Sequence, residues 1–303
     1  MRLRCRDRVI EIDRPLVMGV LNATPDSFSD GGELDGVAAQ VRRGLELIAD
    51  GADVLDIGGQ SAITGVPEIS VDDEIERLIP VVAGVRAASD CVISVDTYRP
   101  GVADAALAAG ADIINDISGV LDPALADVAL EHRAGFVVMH TRWKPKTRED
   151  ARLLYQEHGV LHDVVTFLGE RLESLLSRGL DPEQLVLDPG PDFAKTAAQT
   201  VDVLRGLDTI VSFGRPVLLA LSRKDFIGVI TKRPPKERLA GTLAAIAATT
   251  RVAPSSILRV HDVRETREFL AVLDVLDGRS DVAFDAGLDK ELRWQARVAP
   301  EST

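Results

Sequence analysis

The sequence predicts an α/β protein, a closed (β/α)8 TIM barrel, on three observations. Short β-branched runs recur along the chain as "LVMGVLN", "ADVLDIGG", "CVISVDT", "ADIINDISG", "AGFVVMH", "QLVLDPG", "PVLLALS" and "SSILRVHD". Each is apolar on both faces, as a buried parallel strand is. Helical patterns fill the intervals, which is the crossover that parallel strands need, and eight such units close a barrel. No Gly-rich nucleotide fingerprint follows an early strand, which disfavours an open doubly wound sheet.

Taken in order, "RLRCRDRVIEID" reads as a hairpin of two short strands capping the bottom of the barrel. Val37, Val41, Leu45 and Ile48 keep the spacing of one helix face, and "DDEIERLIPVVAGVRAA" opens with acids suited to a helix N-terminus. "ARLLYQEHGVLHDVVTFLGERLESLLSRG" predicts an unusually long helix before the sixth run. From about residue 282 to 303 the periodicity is lost, as in a frayed tail. No repeat, linker or low-complexity tract intervenes, so residues 1–303 are expected to form a single domain.

Composition narrows the partners. The chain has 303 residues, 46% hydrophobic and 4% aromatic, with 35 basic against 48 acidic side chains and a net charge of −13. That charge repels nucleic acid and anionic membranes, so neither is an expected partner. "MRLRCRDRV" lacks the apolar core of an export signal, and "GTLAAIAATT" is too short and hydroxyl-rich to span a bilayer. Cys5 and Cys91 are far apart without metal-like spacing and read as one surface thiol and one at a strand start. A reducing, cytoplasmic location is expected.

In such barrels chemistry collects at the C-terminal ends of the strands. Here those ends carry Asn22, Asp56, Asp96, Asn115 with Asp116, His140, Asp188, then Ser222, Arg223 and Lys224, and finally Arg259 with His261. One polar strand end is ordinarily a helix cap, but a succession of them points to a site. Carboxylates and amides come from the early strands and the sixth, cations from the last two. Loops after the seventh and eighth strands are this fold's usual phosphate site, and Arg259 and His261 share one strand face. The expected ligand is therefore a flat nitrogen heterocycle with an anionic tail. Asp96, Asn115 and Asp188 would meet the ring edge, and Lys224 could serve either half.

Other features carry less. His158 and His162 have the spacing of a helical metal pair, but no catalytic Glu lies between them and Gly159 interrupts the helix. Trp143 stands in a short basic loop that could stack a base, though in an acidic protein such a loop is ordinarily only a surface loop. Ser222 has no base beside it in sequence and is not read as a nucleophile.

Through "MGVLNATPDSFSDGG", "DIGG", "SVDTYRP", "INDISG", "MH", "DPG" with Phe193, "SRKDFIG", "RLAGTLAA" and "ILRVHDV", the chain resembles dihydropteroate synthase, from the first strand to about Leu276. The resemblance implies a homodimeric barrel that joins a hydroxymethyldihydropterin diphosphate to para-aminobenzoate and releases pyrophosphate with Mg²⁺ assisting. It assigns the pterin to Asp96, Asn115, Asp188, Lys224 and Arg259. Asn22 falls to the metal, and Asn22, Arg259 and His261 to the diphosphate. Asn22, Lys224, Arg259 and His261 are thereby the implied catalytic set. Phe193, Ser222, Ala62 and Ile63 lie on the acceptor side. The loop "NATPDSFSDGG" is expected to close with Phe28 and Asp30.

Two loops depart from the family. Its Gly-Gly-Glu-Ser-Thr-Arg-Pro-Gly is here Gly58, Gly59, Gln60, Ser61, Ala62, Ile63, Thr64, Gly65, without the glutamate, threonine, arginine and proline. Its Gly-Ile-Gly-Phe-Gly-Lys is here Gly190, Pro191, Asp192, Phe193, Ala194, Lys195, with two glycines lost and a carboxylate gained beside the acceptor. Trp143 and Arg148-Glu149 are further changes. The expected function is a family member that keeps its pterin and pyrophosphate sites but has weak or absent condensation activity. Three alternatives stand: an active synthase in which Lys195 or Arg142 replaces the lost arginine, a non-catalytic pterin-binding or dimer-partner protein, and, less favoured, a methyltetrahydrofolate-using methyltransferase.

Overall fold

The computed structural model describes residues 1–23, 33–60, 67–147, 150–289 and 292–293. The chain opens with an antiparallel hairpin, β1 (Arg2–Cys5) and β2 (Arg8–Glu11). Eight parallel strands follow: β3 (Leu16–Asn22), β4 (Val54–Gly58), β5 (Val92–Asp96), β6 (Ile113–Asp116), β7 (Gly135–Met139), β8 (Leu185–Asp188), β9 (Val217–Leu219) and β10 (Ser256–Val260). They close in chain order, with β10 beside β3.

The hairpin seals the bottom because side chains alternate along a strand. Leu3 and Cys5 of β1, with Ile12, join an apolar cluster with the strand-start residues Leu16, Val54, Ile113, Val186 and Ile257. Cys5 is thus wholly buried rather than a surface thiol, and burial pushes its pKa up to about 12.

Helices α1 (Glu33–Ala49), α2 (Val71–Ala88), α3 (Pro100–Ala108), α4 (Ala124–Glu131), α5 (Val160–Ser177), α6 (Ala197–Arg205), α7 (Leu207–Val211), α8 (Asp225–Thr231), α9 (Leu239–Thr250) and α10 (Val263–Leu276) fill the intervals. α2 starts as its acids suggest: Ser70 and Asp73 form a reciprocal capping box. In α1 the predicted stripe is only half-buried. Val41 packs on α2 at Gly84, while Gln40 and Leu47 are the buried side chains, with Gly44 against Leu21 and Leu55. The helix answers to two neighbours, so its buried face is rotated from the apolar stripe. The predicted long helix is shorter than expected. It begins only at Val160, because Gly159 takes φ 82°, and a short 3-10 turn, Ala151–Leu153, precedes it.

By contacts the chain falls into two compact units, Met1–Arg267 with the whole barrel and Glu268–Thr303. In the second, Arg279 bonds the carboxylates of Asp274 and Asp277, and residues 282–289 are exposed with neither helix nor strand. Among the described residues, no helix is long and apolar enough to cross a membrane.

Candidate active site

Strand register brings the first cluster together. Asp56 pairs with Ser94, and Gly58 with Asp96, which in turn pairs with Asn115, so Ser94, Asp96 and Asn115 share the inner face. From β10, Arg259 donates from Nε to Asp56 Oδ2 at 2.6 Å and from Nη2 to Asp96 Oδ2 at 2.8 Å. Asp56, wholly buried, also accepts from the Ser94 hydroxyl at 2.7 Å and from Asn115 Nδ2 at 3.2 Å. A buried carboxylate needs such partners to remain charged. Asp56 was visible only as one more polar strand end, yet it anchors the other three. The signal was its register with Ser94, two residues before Asp96.

Electrostatics within this cluster are set by burial. Asp96 is pushed up to about 7, burial outweighing Arg259, with Asp56 and Glu74 adding to the rise. Asp188 is pushed up to about 6, held back by the Gly190 N–H, which donates to Oδ1 at 2.7 Å, and by Lys224 and Lys195. Burial opposes the charge on Arg259, but Asp56 and Asp96 hold its pKa above the ordinary value. Burial lowers Lys224, with Asp192 and then Asp188 opposing. The result is a compact set of acceptors and cations, able to match a heterocycle edge.

The turn after β8 engages Lys195, which the sequence offered only as a stand-in for the lost arginine. Lys195, nearly buried, donates from Nζ to His140 Nδ1 at 2.8 Å, to the Gly190 carbonyl at 2.9 Å and to the Phe193 carbonyl at 3.0 Å. Because Nδ1 accepts, Nε2 of His140 carries the proton and donates to Asp163 Oδ1 at 2.8 Å. Burial and then Lys195 lower His140 to about 4, and burial lowers Lys195 to about 7. Arg142 grips both oxygens of Asp163, at 2.9 and 2.7 Å. Both cations that could replace a lost arginine are therefore already engaged. Asp192 and Ala194 take φ 65° and 51°, a region that favours glycine. The ring of Phe193 lies 4.4 Å from Lys224 Nζ.

On the anion side, Ser222 Oγ meets His261 Nδ1 at 3.0 Å. Burial, then Arg223, lower His261 to about 4, so its ring is neutral at pH 7. Ser222 Oγ also accepts from the His261 backbone N–H at 3.3 Å, so hydroxyl and imidazole are held together. Ser222 is thus tied to the His261 side of the site, a pairing across 39 positions that sequence adjacency could not show. Arg259 gives two nitrogens to Asp56 and Asp96, so its fork is turned to these carboxylates. Asn22 is exposed at the end of β3.

Above Asp96 opens a cleft lined in part by Gln60, Thr97, Tyr98 and Lys146. Gln60 Nε2 donates to the Tyr98 hydroxyl oxygen at 3.1 Å, and Gln60 Oε1 accepts from Ile69 N at 3.0 Å. The Tyr98 hydroxyl donates to Glu68, and Arg99 joins Glu68 to Glu74 at 2.8 and 3.0 Å. Ala62, Ile63, Thr64, Phe28, Asp30, Arg148 and Glu149 lie outside the described residues. His158 and His162 stack edge to face at 5.2 Å between centroids, and Trp143 is half-buried. Among the described residues, no group of three or more His, Cys, Asp or Glu could hold a metal.

Fold and site together define a barrel enzyme class that takes pterins: residues 18–261 match the family described as "Pterin binding enzyme". Dihydropteroate synthase of Synechocystis is 40% identical over 265 residues, covering 87% of this chain and 90% of that protein. That of Bacillus subtilis is 40% identical over 271 residues, covering 89% and 91%. Dihydropteroate synthase of Xanthomonas albilineans, solved with 4-aminobenzoic acid, superimposes with a TM-score of 0.83 at 40% identity over 91% of this chain and 98% of that one. The same enzyme in complex with 7,8-dihydropteroate gives 0.79 over 91% and 99%. The chain belongs to the dihydropteroate synthase family of pterin-binding enzymes.

Proposed function

We propose that this chain binds a pterin between Asp96, Asn115, Asp188, Lys224 and Arg259, keeps a pyrophosphate site at Asn22 and His261, and condenses hydroxymethyldihydropterin diphosphate with para-aminobenzoate weakly or not at all. The pterin half is carried by one observation, the Arg259 fork across Asp56 and Asp96 with Asn115 behind it. Such a fork presets acceptors for an amino-oxo ring edge.

The impaired half is supported by Gln60. Its amide is spent on Tyr98 and Ile69, and the loop that follows carries Ile63 where the family carries arginine. An arginine beside a departing diphosphate supplies charge-assisted bonds that strengthen as charge develops, about 2–4 kcal/mol in effect. Mg²⁺ fits this reading. Asn22 offers an exposed amide oxygen, and Mg²⁺ is ordinarily held by one or two protein donors plus substrate phosphates, not by a protein cage. Bound there, it would neutralise leaving-group charge. A cytoplasmic homodimer belongs to the same reading.

An ordinary active synthase is the second reading, favoured by 40% identity over most of the chain. A steady-state synthase assay beside a known active enzyme separates the two: turnover at the reference level rejects impairment. Replacing Gln60→Glu, Ala62→Thr, Ile63→Arg and Thr64→Pro together should raise turnover about tenfold or more. If turnover stays at background in a folded protein, the cause lies elsewhere, most directly at Pro191 and Asp192. Asp96→Ala should weaken pterin binding by roughly 1–3 kcal/mol, the cost of unpaired buried groups. Absence of pterin binding by the unmutated protein, measured by calorimetry, rejects the pterin half.

A further inference from the structure

Asp192 stands in a left-handed backbone conformation that costs an L-residue free energy. Strain of this kind persists where the surroundings enforce it. Its carboxylate bridges two helices. Oδ1 accepts from the Thr200 hydroxyl of α6 at 3.1 Å, and the same hydroxyl accepts from the Asp192 N–H at 3.0 Å. Oδ2 accepts from Phe226 N in the first turn of α8 at 3.2 Å.

That last bond does work the cap residue of α8 cannot do. The cap position is Lys224, whose side chain has no acceptor and makes no capping bond. Lys224 instead places its ammonium over the Phe193 ring, one residue after Asp192. The cation that would meet the pterin and the ring beside it therefore sit on two segments, and Asp192 joins those segments.

We infer that Asp192 is a positioning residue: by capping α8 from the neighbouring turn and anchoring that turn on Thr200, it presets Lys224 and Phe193 as one pair facing the ring pocket. This rests on the pterin reading above. It also explains why a glycine-favouring position carries a carboxylate: the brace offsets the strain.

Two variants test it. Asp192→Gly removes the brace and also the strain, so its melting temperature should hold or rise, while its pterin dissociation constant should increase about fivefold or more. Asp192→Asn keeps an oxygen for Phe226 N and an amide for Thr200, so it should bind within about twofold of the unmutated protein. Loss of stability together with binding in the glycine variant assigns Asp192 a merely structural role and overturns the inference. So does an asparagine variant as weak as the glycine one, which assigns the effect to charge, or a glycine variant that binds normally.

A ligand-free readout separates this inference from the pterin reading. In protein labelled at lysine Cε, the Lys224 resonance, identified by its loss in Lys224→Arg, should be sharp in the unmutated protein and shifted or broadened in Asp192→Gly. If the unmutated protein binds no pterin, that reading falls while the resonance still judges the brace. An unchanged resonance rejects the brace itself.

Discussion

At the end of β4, β5 and β10, Asp56, Asp96 and Arg259 occupy positions dictated by strand register, and each side chain is held by the others. Along the turn from Gly190 to Lys195, the backbone is instead held by side chains: Lys195 grips two carbonyls, and Asp192 ties into Thr200 and Phe226. One region is placed by the sheet and stabilised by charge. The other is placed by charge and strained in its backbone. The difference teaches that the first should resist sequence change in the loops, while the second should respond to single substitutions.

The largest expected effect lies at the register-placed region. Arg259→Ala leaves Asp56 buried and Asp96 half-buried without their cation and should destabilise the fold by roughly 3 kcal/mol in a denaturant titration. A loss near zero would mean that the two carboxylates need no cation there.

At the turn, Gly190 has φ 63°, and an added Cβ would stand 2.1 Å from the His140 carbonyl oxygen, a backbone atom that cannot step aside. Gly190→Ala should cost roughly 2–3 kcal/mol, read by the same titration. An unaffected variant would show the turn to be looser than its hydrogen bonds imply.

Acid separates ring binding from anion binding. Asp96 and Asp188 are raised to about 7 and about 6, so the folded chain holds protons that the unfolded chain releases. Their contribution to stability is full below the ordinary carboxylate value near 4 and is lost as pH rises through about 6 to 7. Pterin donors need the ionised acceptors, so pterin affinity should fall by about tenfold through Asp188 alone between pH 7 and 5, and further through Asp96. Pyrophosphate should do the opposite. An anion favours protonated His261, which is lowered to about 4 in its absence, so affinity should rise as pH falls, with proton uptake seen by calorimetry in different buffers. Parallel slopes would undo the division.

The smallest expected effect is a gain. Ala194→Gly relieves a φ of 51° and should raise stability by about 0.5–1 kcal/mol, after the added unfolded-state entropy of glycine. A loss instead would show that Ala194 packs too well to spare.

Much of this was legible in the sequence, for physical reasons. Apolar runs with polar last residues give a closed parallel barrel and the end of it where polar side chains gather, so Asp96, Asn115, Asp188, Lys224 and Arg259 were singled out before their contacts were known. What stayed hidden depends on separation in sequence. Ser222 meets His261 and Lys195 meets His140 only once the barrel closes. Lys195 read as a spare cation because charge alone does not reveal three waiting acceptors. Asp192 read only as a carboxylate gained beside the acceptor because its partners lie on α6 and α8. Cys5 read as a surface thiol because nothing in "RLRCRD" says which way the hairpin turns.

That hairpin equips the protein with an internal clock. Cys5 is sealed under the barrel with its thiol pushed up to about 12, and Cys91, half-buried, up to about 11. A thiolate-seeking reagent can capture Cys5 only during the intervals when the hairpin lifts away, because burial both hides the sulfur and keeps it protonated. The pace of labelling at that one sulfur therefore times the opening of the barrel's closed end, without any engineered residue.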